Sequence, residues 1–162
     1  MIQRKQTIWL LLSAAVLIPL WFIPFASFLA GEEEAMIFMK GLLLTNSGTM
    51  TPATMRFVIL IFATLVPILT IFFYKHRKAQ LEFCLSNIIL SAVLVGMIVV
   101  DWYTFSNIDV AKIAESGLPE VHEFKLNLFI CITPLLSMGM NYLAYRRIMY
   151  DELLIKSIDR IR

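Results

Sequence analysis

The sequence predicts an all-α membrane protein, in which a bundle of four transmembrane helices forms a single integral membrane domain. Of the 162 residues, 59% are hydrophobic and only 16% are charged, whereas a soluble domain is about 45–50% apolar and about 25% charged. The apolar residues gather in four runs of roughly 20 residues, the length that crosses the hydrocarbon core of a bilayer. The basic residues gather at one set of ends of these runs. Apolar excess, run length and basic clusters together predict the four-helix architecture.

The first predicted span covers about 7–29, because no charge interrupts this stretch. A secretory signal peptide is the alternative, but the run is longer than the apolar region of such a peptide and carries Trp9 and Trp21. We therefore expect a retained helix. Pro19 and Pro24 predict a kink or fraying of its outer end, since proline lacks the backbone N–H that a helix interior uses.

The segment 30–52 forms the first outer loop and is too polar to span. Its apolar stretch, 35–44, is interrupted by Lys40 and lies between an acidic turn and a polar turn. We predict a strand that pairs with Phe25–Leu29 in a small hairpin on the outer surface. A short interfacial helix is the alternative.

The remaining spans are predicted at about 53–74, 80–103 and 126–145, from the positions of the apolar runs. Thr51 and Pro52 are expected to open the second span as its N-cap and first helical residue. The outer loop between the third and fourth spans holds a weak capping-box pattern that predicts a short helix. That pattern is Ser106 to Asp109, followed by Gly117 and Pro119.

The tail, 146–162, is predicted to be an amphipathic cytoplasmic helix. Apolar side chains spaced at i, i+4, i+8 and i+11 share one helical face. These residues are Tyr150, Leu154, Ile158 and Ile161. The face either lies on the membrane surface or packs on a partner helix, and the sequence leaves both interpretations open.

The positions of the basic residues predict the orientation in the membrane. Of the 14 Lys and Arg residues, only Lys40, Arg56, Lys112 and Lys125 fall on one side of the predicted spans. The positive-inside rule places the other side, with both termini, in the cytoplasm. The bases nearest the spans are expected to anchor the topology and to contact anionic lipid head groups. These anchors are Arg4, Lys5, Lys75, Arg77, Lys78, Arg146 and Arg147. Docking of a protein partner is the alternative for the cluster at Lys75–Lys78.

Polar residues at membrane depth are the candidate functional residues. They are Asn87, Ser91, Asp101, Ser137 and Asn141. We expect the asparagines and serines to hydrogen-bond between the third and fourth helices; a polar ligand pathway is the alternative. We expect Asp101 to be solvated at the outer interface, with an ion or proton site paired with Arg56 as the alternative.

Several classes of site are not expected. Cys84 and Cys131 fall at opposite depths of the membrane, so they are not expected to form a disulfide. His76 and His122 lie in different loops without metal-ligand spacing. No catalytic set of residues, cofactor or metal is expected, and a net charge of +2 is too small to indicate a nucleic-acid partner.

Three segments carry a resemblance to a known family. They are the opening MIQRKQTIWLL, the central FYKHRKAQL and the end DELLIKSIDRIR. Together they resemble the four-helix membrane protein family filed as domain of unknown function 4293, from Bacteroidetes-type bacteria. The resemblance covers the whole chain and implies a bacterial inner-membrane location. It implies no activity, cofactor or catalytic residue. His76 and Ile155 depart from the family pattern.

The leading functional hypothesis is a non-enzymatic accessory or scaffold subunit, in contact with membrane lipids and with a protein partner bound through the tail or the outer loops. The alternative is a small transporter or a lipid- or quinone-binding module. That alternative requires a pocket between the helices near Asn87 and Asn141.

Overall fold

The computed structural model describes residues 3–30, 33–45, 48–73, 76–106 and 121–159. Within these ranges the chain is mostly helical, with four long helices and a small antiparallel sheet. The helices are α1 Gln3–Leu17, α2 Pro19–Phe22, α3 Thr54–Phe72, α4 Arg77–Ser106, α5 Leu128–Cys131 and α6 Thr133–Asp159. The strands are β1 Ala26–Ala30, β2 Glu33–Phe38, β3 Gly41–Leu44, β4 Met50–Pro52 and β5 Val121–Leu126.

Three helical stretches are long and apolar enough to cross a membrane, and they correspond to the second, third and fourth predicted spans. They are Thr54–Phe72, Arg77–Thr104 and Leu128–Leu154. Many of their apolar side chains point away from the protein, and Phe129 is the extreme case at 85% exposure. An apolar exterior of this kind is compatible with membrane association, because apolar side chains are unfavourable in water but favourable in contact with lipid chains.

The first helical stretch is shorter than its predicted span of 7–29. A turn at Ile18 separates α1 from the four-residue α2, which begins at Pro19. Proline suits the first turn of a helix but interrupts one that is already under way, because it lacks the N–H and crowds the preceding carbonyl. After α2 the chain enters strand β1, so the last residues of the predicted span are not helical.

The pairing predicted for the outer hairpin is present, but the single strand predicted at 35–44 is two strands, β2 and β3, joined by a turn, and both belong to a larger sheet. Strand β1 pairs antiparallel with β2, with Ala26 opposite Ile37. The sheet continues to five strands in the order β4-β3-β2-β1-β5. Strand β5 comes from the end of the second outer loop, and it places Leu126, the first residue of the predicted fourth span, opposite Ala26. An all-α class is therefore wrong in this part of the molecule.

The predicted start of the second span at Thr51 and Pro52 is also wrong. Both residues belong to β4, with Thr51 opposite Leu42 and Pro52 opposite Gly41, and α3 begins only at Thr54. An edge strand tolerates proline because one of its sides needs no N–H donor. The short helix expected from Ser106–Asp109 lies almost entirely outside the described residues, and Ser106 itself ends α4.

The four long helices form a ring in which α1 packs on α3 and α6, and α4 packs on the same two. One buried apolar cluster joins the helices to the sheet, and it includes Leu17, Phe25, Ile37, Leu60 and Leu94. We call this side the sheet end. The opposite side, where α4 begins at Arg77 and α6 carries Arg146 and Arg147, is the basic end.

The predicted tail helix is not a separate element. Helix α6 runs without interruption from Thr133 to Asp159 and has 27 residues. The tail up to Asp159 is thus a direct extension of the last long helix at the basic end.

Candidate functional site

The four predicted polar residues of the third and fourth spans lie together in the interior of the helix ring. Asn87 and Ser91 project from α4, and Ser137 and Asn141 project from α6, which packs directly on α4. All four are 0% exposed. We call these four residues the polar layer.

The neighbours of the polar layer follow from the helix geometry. Leu10, Cys84, Ala144 and Ile148 form a buried apolar cluster on its basic side. Ser13 and Asn87 lie three residues beyond Leu10 and Cys84, and Asn141 lies three residues before Ala144. Since three residues are close to one helical turn, Ser13 joins Asn87 and Asn141 in the next level towards the sheet end.

The hydrogen bonds predicted between the two helices do not form among the described residues. Asn141 instead donates from Nδ2 to the Ser137 carbonyl of its own helix, at 2.8 Å. Both polar atoms of Asn87, the Ser91 Oγ and the Asn141 Oδ1 are buried without a protein partner in the described part of the chain. A buried polar group left unpaired costs about 1–3 kcal/mol, so the polar layer is a destabilising feature unless a polar molecule or a rearrangement pairs these atoms.

A second polar level lies at the basic end and was not predicted. Gln6 of α1 donates from Nε2 to the Asp151 carboxylate of α6, and both side chains are buried. Arg77 donates to the Asp151 carbonyl at 3.2 Å. Gln80 donates to the Thr70 carbonyl at 3.1 Å, which joins α4 to α3. These bonds connect all four long helices at their basic ends.

A pattern in the sequence could have identified these residues. Most buried positions on three helices alternate in steps of three and four residues, the spacing of a coiled-coil seam. They are Gln6, Leu10, Ser13 and Leu17 on α1, followed by Leu20 on α2; Gln80, Cys84, Asn87, Ser91, Leu94 and Ile98 on α4; and Ser137, Asn141, Ala144, Ile148 and Asp151 on α6. Gln80 and Asp151 therefore fall on the same seams as the polar layer, and Gln6 falls on the seam of α1 that contains Ser13.

Asp101 forms an ion pair with Arg56, which links the end of α4 to the start of α3. Both side chains are partly buried, at 18% and 22% exposure, and this pair is the one that the alternative interpretation of Asp101 named. The Arg56 guanidinium also lies 5.9 Å from the Phe25 ring centroid, just before strand β1. The pair thus fastens two helices next to the sheet, which favours a structural role.

The basic anchors differ in their surroundings. Arg146 and Arg147 border a groove between α1 and α6. Arg77 and Lys78 border a different pocket, which also contains Glu82 and Glu152. The backbones of Arg4 and Lys5 lie in the first turn of α1, whereas Lys75 is outside the described residues.

The predicted tail face is exposed where the structure describes it. Tyr150 is 57% exposed and Leu154 is 41% exposed. Ile158 lies within α6, but only its backbone is described, and Ile161 is outside the described residues.

No group of three or more His, Cys, Asp or Glu residues with the geometry of a metal site occurs among the described residues. Cys84 is buried in the apolar cluster beside Leu10, and both cysteines are free thiols. Cys131 packs near the sheet, with its Sγ 3.8 Å from the Phe25 carbonyl oxygen. Packing explains both positions.

No curated protein matches the chain. One family model, described as Domain of unknown function (DUF4293), matches residues 2–161. The match covers nearly the whole chain, including all but Met1 and Arg162 of the three segments that carried the resemblance. The chain therefore belongs to the DUF4293 family.

Proposed function

We propose that the chain is an integral protein of a bacterial inner membrane, with its basic end in the cytoplasm, that acts as a non-enzymatic accessory or scaffold subunit. The apolar exterior of α3, α4 and α6 supports the membrane location. The position of Arg77, Arg146 and Arg147 at one end supports the orientation, because basic residues are retained on the cytoplasmic side.

The observation that carries the scaffold proposal is the continuity of α6. Its 27 residues extend about 40 Å at about 1.5 Å per residue, which exceeds the roughly 30 Å hydrocarbon core. A helix that continues the axis of a spanning helix leaves the membrane and does not lie flat on it. Continuity therefore favours a partner helix as the neighbour of the tail.

The tail also presents an apolar surface suited to such a partner. Tyr150, Leu153 and Leu154 are exposed on the last turns that the structure describes fully. The acidic side chains of the same turns are used elsewhere: Asp151 is buried against α1, and Glu152 borders the pocket of Arg77 and Lys78. An exposed apolar stripe on a rigid helix is the usual form of a helix-docking surface.

Photocrosslinking in native membranes tests this proposal. A photoreactive phenylalanine analogue at Leu154 is expected to give one discrete protein adduct. The same analogue at Phe129, an exposed apolar position near the sheet end of the same helical stretch, serves as the matched control and is expected to give lipid adducts only. Lipid adducts alone at both positions would contradict a docking role for the tail.

The alternative function, a small transporter or a lipid- or quinone-binding module, is favoured by the unpaired atoms of the polar layer. The complete burial of Asn87 and Asn141 counts against an open pathway at this level. An apolar cavity of about 440 Å³ between α1, α2 and α3 is lined by Leu11, Ala14, Trp21 and Ile68, and its chemistry suits an acyl chain. Lipid binding is therefore the form of the alternative that the structure supports best.

A further inference from the structure

We propose that the groove between α1 and the basic end of α6 binds an anionic phospholipid of the cytoplasmic leaflet, with the lipid phosphate held by Arg146 and Arg147. This inference rests on the membrane location and orientation proposed above. It goes beyond them because it assigns a specific lipid site to a groove, whereas a basic surface alone would attract anionic head groups without selecting a position.

The groove has the size and composition of a lipid site. Its volume is about 540 Å³, within the range of about 300–1,000 Å³ that is usual for ligand pockets. Trp9 of α1 forms one wall, and Leu143 of α6, about one turn nearer the sheet end than Arg146, forms an apolar part of the other. Two cationic and several apolar side chains in one groove match the two halves of a phospholipid, its phosphate and the upper part of an acyl chain.

The two guanidinium groups are available for a ligand. Arg147 is exposed, and within the described part of the chain it has no ion pair or hydrogen bond. Arg146 has one described interaction, with the Tyr142 ring, whose centroid lies 6.0 Å from its guanidinium carbon. Stacking on a ring restricts the guanidinium but leaves its N–H groups free to donate. Guanidinium groups bind phosphate oxygens through paired N–H donors.

The described residues that line the groove include no acid. Asp151, one turn beyond Arg147, is buried against Gln6. Glu152 borders the pocket that contains Arg77 and Lys78, together with Glu82. Both basic pockets thus lie at the same end of the molecule, but acids accompany the bases in only one of them. The groove of Arg146 and Arg147 is the one that retains a net positive charge among its described lining residues.

The groove also lies at the depth of a lipid head group. Arg146 and Arg147 fall within the last turns of the apolar stretch Leu128–Leu154. Trp9 and Tyr150 line the same groove, and tryptophan and tyrosine favour the boundary between head groups and hydrocarbon.

Trp9 provides a direct measurement, because it is part of the groove while Trp21 and Trp102 lie near the sheet end. We would replace those two by phenylalanine (Trp21→Phe and Trp102→Phe) in the full chain and reconstitute it in vesicles. Trp9 fluorescence would be titrated with phosphatidylglycerol or phosphatidylcholine, each brominated near the head of its acyl chains. The expected result is half-maximal quenching at a mole fraction about five- to twentyfold lower for phosphatidylglycerol, since each base near the surface attracts anionic lipid about fivefold.

Arginine variants assign that preference to the groove. Arg146→Gln with Arg147→Gln is expected to bring the ratio close to one, and Arg146→Lys with Arg147→Lys to restore part of it. The control is Lys78→Gln, which removes an exposed base of the acid-containing pocket, leaves the bond between Arg77 and the Asp151 carbonyl in place, and is expected to keep the preference. A preference that survives the Arg146 and Arg147 glutamine variant, or that is lost equally in the control, would overturn the proposal.

The same titration separates this inference from the membrane proposal on which it rests. Equal quenching of Trp9 by both brominated lipids in the parent protein would show insertion without a selective site and would refute the lipid site alone. Absence of quenching by either lipid would refute both. Circular dichroism of each variant shows whether the helices remain folded during the measurement.

Discussion

At the scale of single residues, the unpaired atoms of the polar layer are the feature with the clearest consequence. Ser91 and Ser13 are both completely buried serines. The Ser13 hydroxyl donates to the Leu10 carbonyl at 2.8 Å, whereas the Ser91 hydroxyl has no partner among the described residues. Two serines of equal burial and different pairing allow the cost of the unpaired group to be measured.

Ser91→Ala is expected to stabilise the protein by about 1 kcal/mol, because it removes a hydroxyl that is buried without a hydrogen bond. Ser13→Ala is the matched control and is expected to be neutral or destabilising by up to about 1 kcal/mol. Unfolding of the purified protein in mixed detergent micelles measures both. Clear destabilisation by Ser91→Ala would mean that the hydroxyl is paired in the membrane, as a polar ligand pathway through the layer requires.

At the scale of elements, Gly41 determines how closely β3 and β4 approach. Its φ is 155°, and a Cβ at this position would collide with the Thr51 carbonyl oxygen of β4. Gly96 of α4 has open space around the corresponding position. The first glycine is thus required by its surroundings, whereas the second is not.

Gly41→Ala is expected to cost about 2–3 kcal/mol of stability, because the added methyl group separates β4 from β3 or distorts the backbone. Gly96→Ala is the control and is expected to be neutral or to stabilise by up to about 1 kcal/mol, since alanine is the better helix former. Thermal unfolding in detergent compares the two variants. A Gly41→Ala protein as stable as the Gly96→Ala protein would contradict the close approach of these strands.

Element boundaries were predicted well where a single apolar run forms a single helix and poorly where the chain changes its secondary structure. The third predicted span, 80–103, lies inside α4, because lipid-length apolar character and helix coincide there. At Thr51 and Pro52 a local helix-start pattern was overridden by pairing with β3. The pairing partner, β3, lies earlier in the chain. A sequence pattern at the helix start does not include it.

At the scale of the whole molecule, the bundle separates a sheet end from a basic end. Lys40 is exposed in the turn between β2 and β3, and Lys78 is exposed at the start of α4. The two lysines therefore mark opposite ends, and the proposed orientation places Lys40 outside the cell and Lys78 in the cytoplasm.

Cysteine labelling tests this orientation in intact cells. Both variants are made in a protein with Cys84 and Cys131 replaced by alanine. Lys40→Cys is expected to react at once with a membrane-impermeant maleimide, because the reagent reaches the outer face of sealed cells. Lys78→Cys is expected to react only after the membrane is opened. The parent without cysteines gives the background. Labelling of the 78 position in sealed cells, with protection of the 40 position, would reverse the topology.

The sequence by itself determined the second, third and fourth apolar stretches, the basic end and the polar residues within those stretches, because composition and spacing along one helix are local properties. Gln6 and Asp151 also follow the spacing of three and four residues between buried positions, although their hydrogen bond was not predicted. Only the tertiary structure decided that these two residues, 145 positions apart, share a hydrogen bond, and that β5 adds to β1 to complete a five-stranded sheet. Such contacts depend on which helix faces and strand edges meet, which is a property of the packed chain and not of any one segment.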